Sequence, residues 1–339
     1  MTADPLLKVT NLTKVYTGRP SLVGRMLGRA PVNVRAVSDV SLSVNRGEIL
    51  GLIGESGCGK STLGRAILRL HEPTAGKVEF GGTDITALPA PDMKAMRRRM
   101  QIIFQDPYAS LNPRRTVAEI VGLPLQLHGL AKTRSEMREK VALMLEKVGL
   151  KAGQLDRYPH QFSGGQRQRI GIARALISNP EFIVCDEPVS ALDVSIQAQI
   201  IQLLQDLKRE FALTYLFISH DISVIGYLSD RVAVMYLGEI VEMGPVESIL
   251  ARPRHPYTQS LMSAVPEVEA SDKSQRVQLS GDLPSPLSPP SGCKFHTRCP
   301  LAIDICRQRQ PETERVGTGH TAACHRLKEN LSLLEGARA

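Results

Sequence analysis

Residues 51–63 read GLIGESGCGKSTL. Within them Gly54, Gly59, Lys60 and Ser61 fit the pattern G-x-x-x-x-G-K-[ST]. The preceding run, Glu48 to Ile53, is apolar enough for a buried parallel strand, and Lys60 to Leu70 carries a helical apolar pattern. Strand, glycine loop and helix together form the context that a phosphate-binding loop needs. Glycines let the backbone turn and aim several N–H groups inward, and the helix N-terminus adds partial positive charge. Lys60 supplies a full charge for β- and γ-phosphates, and Ser61 offers a hydroxyl to Mg²⁺.

The chain has 339 residues, enough for two domains or for one large domain with an appendix. Hydrophobic residues make up 42%, which fills a substantial core. Aromatics are only 4% and Trp is absent, which argues against a single-strand nucleic-acid binder built on base stacking. The formal net charge is +8, but apart from Arg97-Arg98-Arg99 the basic residues are scattered, so no nucleic-acid partner is expected. No run of 18 apolar residues occurs, so no bilayer-spanning helix is expected. The N-terminal MTADPLLKVT lacks a basic region followed by an apolar core and reads as a cytosolic start, not a secretory signal. Cysteines there stay reduced, and a cluster of them suggests metal.

Strands are expected at 6–16, 37–44, 48–53, 78–80, 100–106, 181–187 and 214–220, with a hairpin over 232–244 turning at Gly238. Residues 17–35 read as a surface insertion and 266–292 as a linker or arm. Helical spacing is expected at 116–127, 135–148, 165–177 and 195–211, with a short helical end at 326–334. Alternating strands and helices imply a largely parallel sheet, and in such sheets ligands sit at the carboxyl ends of strands. The glycine loop, Gln105, Asp186-Glu187 and His220 all fall at such ends.

Nucleotide hydrolysis needs a metal clamp, an oriented water and charge neutralisation at the γ-phosphate. Asp186 ends an apolar strand, where an acid is costly unless it serves a metal or a hydrogen-bond network. It is assigned to Mg²⁺ through water, and Glu187, pointing the other way, to polarising the attacking water. The amide of Gln105 can touch both the metal and that water. His220 reads either as a γ-phosphate ligand or as a satisfied core histidine. Tyr16 reads either as a stack for adenine or as core packing. Phe162-Ser163-Gly164-Gly165-Gln166 is a second glycine-rich loop before a helix, repeating the anion-binding logic of the first. One chain needs one phosphate loop per ATP, so the second loop is expected to reach a γ-phosphate bound on another subunit.

The glycine loop, Gln105, FSGGQ at 162–166, FIVCDE at 182–187, SALD at 190–193 and His220, in this order, resemble the motif set of ABC-type ATPases. The resemblance covers residues 6 to about 250. It implies an α/β fold: a P-loop ABC-type nucleotide-binding domain with a mainly parallel sheet core, an antiparallel β portion and a helical subdomain. It also implies a head-to-tail dimer with two ATPs at the interface. Gly54, Glu55, Ser56, Gly57, Cys58, Gly59, Lys60, Ser61 and Thr62 with Gln105, Asp186, Glu187 and His220 then serve one ATP. Ser163, Gly164, Gly165 and Gln166 serve the other, and Asp193 couples the two sites. The insert near Pro107 to Leu111 would meet membrane-spanning partners, placing the protein peripherally on the cytoplasmic face of the membrane.

A narrower resemblance lies in QDPYASLNPR (105–114), HPYTQSLMSAVP (255–266) and GCKFHTRCPLAIDIC (292–306). These stretches are similar to the ATP-binding subunits of dipeptide and oligopeptide importers, a group that includes nickel importers. The implied partners are a second, related ABC ATPase subunit, two membrane-spanning permease subunits and, indirectly, an external solute-binding protein. The implied division is a nucleotide-binding domain at 1–255, with a helical subdomain at about 107–162, and a C-terminal cysteine-containing extension at 256–339. An importer of nickel or another small solute, and a soluble ABC ATPase of DNA repair or translation, stand as alternatives. A single ATPase unit without long heptads argues against the last.

Cys293, Cys299, Cys306 and Cys324 are spaced C-x5-C-x6-C-x17-C. Soft thiolates suit Zn²⁺ or an iron–sulfur cluster, and none of these gaps matches the C-x2-4-C spacing of zinc sites. Four unligated thiols, or a redox-sensing tail that gates the ATPase, are the other readings. The resemblance implies a [4Fe–4S] cluster. Cys58 and Cys185 read as packing residues.

Overall fold

A computed structural model of the chain describes residues 5–18, 33–263 and 283–329. Most of the predicted insertion at 17–35, most of the predicted linker at 266–292 and the end of the predicted terminal helix lie outside the described residues. The strands are β1 (Leu7–Thr17), β2 (Asn33–Val44), β3 (Ile49–Ile53), β4 (Ala75–Phe80), β5 (Thr83–Asp84) and β6 (Met100–Ile103). They continue as β7 (Phe182–Asp186), β8 (Thr214–Ile218), β9 (Arg231–Tyr236), β10 (Glu239–Pro245), β11 (Glu314–Gly317) and β12 (His320–Ala322). The helices are α1 (Lys60–Ile67), α2 (Ala90–Arg99), α3 (Val117–Leu127), α4 (Arg134–Lys147) and α5 (Gly164–Leu176). After them come α6 (Val194–Phe211), α7 (Ile222–Leu228), α8 (Val246–Ala251), α9 (Pro256–Ser263) and α10 (Asp304–Gln308).

The chain divides into two compact units. The first comprises Met1–Leu6, Val44–Ile49 and Phe80–Ser219. Its strands β6, β7 and β8 are parallel, with Met100 opposite Phe182 and Phe182 opposite Thr214. Every residue of β7 and β8 is buried, as parallel strands covered on both faces require. The helical insert belongs to this unit. Thr116 starts α3 through a capping box: its hydroxyl accepts from the Glu119 N–H while the Glu119 carboxylate accepts from the Thr116 N–H. Thr133 caps α4 in the same way from one side, accepting from the Glu136 N–H.

The second unit comprises Leu7–Ser43, Leu50–Glu79 and His220–Ala339. Here β2, β1 and β4 lie side by side in a sheet. In the other sheet β3 runs parallel to β9, β9 and β10 form the predicted hairpin, and β12 adds antiparallel to β10 with Glu242 opposite Ala322. The C-terminal segment therefore extends the sheet by two strands, β12 and β11. Sequence reading gave neither strand, because each is only three or four residues long. Of the predicted helical end at 326–334, the described part is a single 3₁₀ turn, Leu327–Glu329. Tyr236, Tyr257 and Phe295 are fully buried and pack their rings at centroid distances of 4.7, 5.2 and 5.4 Å. Burying each ring is worth ~1.5–3 kcal/mol, and this cluster fastens the extension to β9.

Candidate functional site

The phosphate loop lies in the second unit, between β3 and α1. Gly59 precedes α1 with φ 109° and ψ 3°, a conformation open to glycine and strained for other residues. No side chain caps α1, so its first N–H groups are presented by the backbone alone. Lys60 is 4% exposed; its ammonium folds back over the loop and donates to the carbonyls of Gly54 (2.7 Å) and Glu55 (3.0 Å). Ser56 and Gly57 are exposed, and Ser61 and Thr62 are half-buried. Cys58 is buried; burial pushes its thiol up against the pull of Lys60, in keeping with a packing residue. The Glu55 N–H donates to the hydroxyl of Tyr257 (2.9 Å), and the Glu55 carboxylate is held by Arg298. Neither Tyr257 nor Arg298 was legible as a loop partner, since both lie some 200 residues away in sequence.

Gln105, Asp186 and Glu187 lie in the first unit, at the carboxyl ends of parallel strands. Strand β6 ends at Ile103, not near Asp106, so Gln105 stands two residues beyond it on exposed chain. Asp186 ends β7 and is 1% exposed. Glu187 leaves the strand with φ 47°, a left-handed conformation uncommon for a non-glycine residue and held here by the bonds around it. Its N–H donates to the Ile218 carbonyl (3.1 Å) and its carbonyl accepts from the Ser190 hydroxyl (3.1 Å). The Gln105 amide donates to the Glu187 carboxylate (2.9 Å), so the structure joins the two residues assigned to the water. Cys185, just before Asp186, is fully buried, and burial raises its thiol, as expected of a packing residue.

The second glycine loop opens α5. Ser163 is its N-cap: the hydroxyl accepts from the Gln166 N–H (3.3 Å), and the Gln166 amide oxygen accepts from the Ser163 N–H (3.1 Å). This helix start is therefore partly satisfied by its own side chains, unlike that of α1. Gly165 is buried with Ile196 of α6 close against it; a Cβ there would come within 2.5 Å of the Ile196 methyl. Asp193 is the exposed N-cap of α6, and its side chain makes no capping bond. His220 corrects one expectation: β8 ends at Ile218, and His220 is exposed two residues beyond, not the buried close of the strand. The core-histidine reading goes with it. Tyr16 is half-buried on β1, edge-on to His71 (5.8 Å) with the Lys14 ammonium over its ring (4.9 Å).

Cys293, Cys299, Cys306 and Cys324 line one cavity of the second unit, with His255, His296, His325 and Arg326 also on its wall. Burial pushes the Cys293 thiol up to about 12 and Cys299 up to about 11, with mutual repulsion adding to it, and raises Cys324 as well. Among the described residues no group of three or more His, Cys, Asp or Glu is arranged to hold a metal ion. The expected metal site, zinc or cluster, thus gains no support from that geometry.

Residues 37–190 match the family described as ABC transporter, and residues 241–306 match the family described as oligopeptide/dipeptide transporter, C-terminal region. A Bacillus subtilis protein, the oligopeptide transport ATP-binding protein AppF, is 50% identical over 95% of this chain and 97% of its own length. The chain belongs to the ABC transporter family. A Brucella ovis protein named as a peptide import ATP-binding protein is 51% identical over 98% of this ABC subunit and all of its own length. A solved structure of the ATP-binding cassette MJ0796, a dimer in a post-hydrolysis state with ADP and phosphate, is 31% identical. It covers 71% of this chain and 98% of its own, with a TM-score of 0.62. ATP hydrolysis, with Mg²⁺ on the phosphates, is the activity of this family. No helix among the described residues is long and apolar enough to cross a membrane.

Proposed function

We propose that this ABC ATPase powers the import of di- and oligopeptides across the cytoplasmic membrane. The observation that carries the peptide reading is its 50% identity, over nearly its whole length, to a protein named for oligopeptide transport. We read residues 1–255 as the nucleotide-binding domain and 256–339 as the extension; the second family match begins earlier, at 241, within β10.

In this reading the backbone N–H groups of Gly54, Ser56, Gly57, Cys58, Gly59, Lys60, Ser61 and Thr62 wrap the phosphates, the Glu55 N–H stays on the Tyr257 hydroxyl and shapes the loop, and Tyr16 packs on the adenine. The Lys60 ammonium exchanges its two loop carbonyls for β- and γ-oxygens, a swap from neutral to charged partners that strengthens each bond. The donor set of Ser61, Gln105 and Asp186 suits Mg²⁺, which takes oxygen ligands and keeps several waters. When bound, the ion neutralises charge on the phosphates. Glu187 takes the proton of the attacking water, Gln105 orients both, and His220 donates to the γ-phosphate. The bond from the γ-phosphorus to the bridging oxygen breaks, giving ADP and phosphate. Residues Ser163, Gly164, Gly165 and Gln166 close on the ATP of a second subunit, and Asp193 links the two sites.

The partners are two membrane-spanning permease subunits, an external solute-binding protein and a second, related ABC ATPase. Contact with the permeases runs through the insert near Tyr108, which is 61% exposed and covered by the Arg167 guanidinium at 4.0 Å. In this reading the chain sits peripherally on the cytoplasmic face of the inner membrane. Removing the chain from its cell is expected to abolish uptake of labelled di- and tripeptides while nickel uptake stays normal. Loss of nickel uptake with intact peptide uptake would replace the substrate.

The extension is read as holding a [4Fe–4S] cluster on Cys293, Cys299, Cys306 and Cys324. The support is the chemistry of the donor set, not its arrangement: three thiols of the stretch 293–306 and that of Cys324 line one cavity. When bound, such a cluster ties these stretches together and carries one electron.

A further inference from the structure

The extension reaches the phosphate loop at Glu55 from two directions. The Tyr257 hydroxyl accepts the Glu55 N–H at 2.9 Å. The Arg298 guanidinium donates to both Glu55 carboxylate oxygens, at 2.7 and 3.0 Å. The Arg298 side chain is 7% exposed and that of Glu55 25%, so the pair lies in a partly desolvated setting where a bidentate fork is both directional and strong. The Arg298 Nε and the Tyr236 hydroxyl are buried beside it without a hydrogen bond of ordinary geometry. The guanidinium therefore has Glu55 as the anion its burial requires. Arg298 sits directly before Cys299 and is fixed by its own N–H donating to the Phe295 carbonyl (3.0 Å).

We infer that Arg298 is a positioning residue for nucleotide binding: it acts through Glu55, holding the phosphate loop in its binding shape and neutralising the carboxylate next to the phosphates. This rests on the loop being the ATP site. A carboxylate one residue from Gly54 repels a triphosphate unless it is paired. Loop shape also matters in its own right, since a phosphate cradle binds through N–H groups that must converge before the ligand arrives. Arg298 thereby makes ATP affinity a property of the extension as well as of the nucleotide-binding domain. Chemistry should depend on it less, because Gln105 and Glu187 belong to the other unit.

The test is a double-mutant cycle on the full chain, with affinity for Mg²⁺ and the non-hydrolysable analogue AMP-PNP measured by calorimetric titration. Arg298→Met should weaken binding about tenfold and raise KM for ATP more than it lowers kcat. Arg298→Lys should recover part of the loss. Adding Glu55→Gln to Arg298→Met should tighten binding relative to Arg298→Met alone, because the unpaired carboxylate is gone. A packing role for Arg298 would leave the double variant as weak as the single, and that result overturns the inference. So does unchanged affinity in Arg298→Met. If Arg298→Met does not fold, the same cycle with Arg298→Gln, which also removes the charge, decides by the same sign. Wild type that binds no nucleotide refutes the ATP-site reading itself, whereas wild type that binds while the cycle is additive refutes only the inference.

Discussion

Replacing Gly59 by alanine puts a methyl group where the loop leaves no room. The φ of 109° at Gly59 costs a residue with a side chain ~1–3 kcal/mol. The new Cβ would also lie 2.2 Å from the Ala36 carbonyl oxygen of β2 and 3.1 Å from the Met235 methyl. The methionine end gives way, but the carbonyl belongs to a strand, so loop and strand must part by ~1 Å, an overpacking cost of ~1–3 kcal/mol. The expected loss is ~4 kcal/mol, read as a urea midpoint lowered by roughly 1.3 M at an m-value near 3 kcal/mol/M. Gly57→Ala supplies the control. Gly57 has φ 82°, yet a Cβ there meets nothing within 4 Å, so only the conformational cost of ~1–2 kcal/mol remains. The difference between the two variants, ~2 kcal/mol, isolates the contact with Ala36. Equal losses in the two variants, or a Gly59→Ala midpoint unchanged from wild type, would refute the reasoning.

His255 is 1% exposed and its Nδ1 accepts the Tyr257 N–H (3.1 Å), which requires the neutral ring; burial lowers its pKa to about 4, against the pull of Glu242. The unfolded chain takes up this proton below ~6.5 and the folded chain does not until about 4, so stability is lost as pH falls through that window. Chemical denaturation of wild type against His255→Gln should show ~3 kcal/mol more loss in wild type between pH 6.5 and 4, and parallel curves would contradict it. Protein purified without oxygen should hold about four irons and four sulfides per chain, lost in Cys306→Ser; stoichiometric zinc or no metal would remove the cluster from the extension. Tyr257→Phe leaves the Glu55 N–H without its acceptor and should cost ~1–3 kcal/mol in thermal unfolding, with Tyr236→Phe, whose hydroxyl lies beside Arg298 without a hydrogen bond of ordinary geometry, costing less.

The parts of the fold that sequence revealed are those with long, strongly patterned runs. Strands β3, β7 and β8 are uninterrupted apolar stretches, and they lie within one or two residues of the expected positions. Helices α3 and α4 carry both apolar spacing and Thr caps, so their starts were readable too. What escaped was non-local. Strands β11 and β12 are too short to show a period and exist because β10 offers an open edge. The departure of Glu187 from β7 depends on a left-handed backbone and on bonds to Ile218 and Ser190, none of which a polar dipeptide announces. His220 and Gln105 were placed at the ends of the correct strands but stand two residues beyond them, because strand ends are set by pairing partners. The contacts of Tyr257 and Arg298 with Glu55 join segments 202 and 243 residues apart, and nothing in the spacing of either segment points to the loop.

The central claim is that Glu187 and the phosphate loop together hydrolyse ATP. The measurement that tests it most directly is ATP turnover and oligomeric state for wild type, Glu187→Gln and Lys60→Ala, each with Mg²⁺ and ATP. Glu187→Gln should bind ATP with near wild-type affinity, accumulate as a closed dimer and lose at least 100-fold in turnover, the span of a general base. Lys60→Ala should lose ATP binding and remain monomeric. Turnover retained in Glu187→Gln, or ATP affinity retained in Lys60→Ala, would contradict the account.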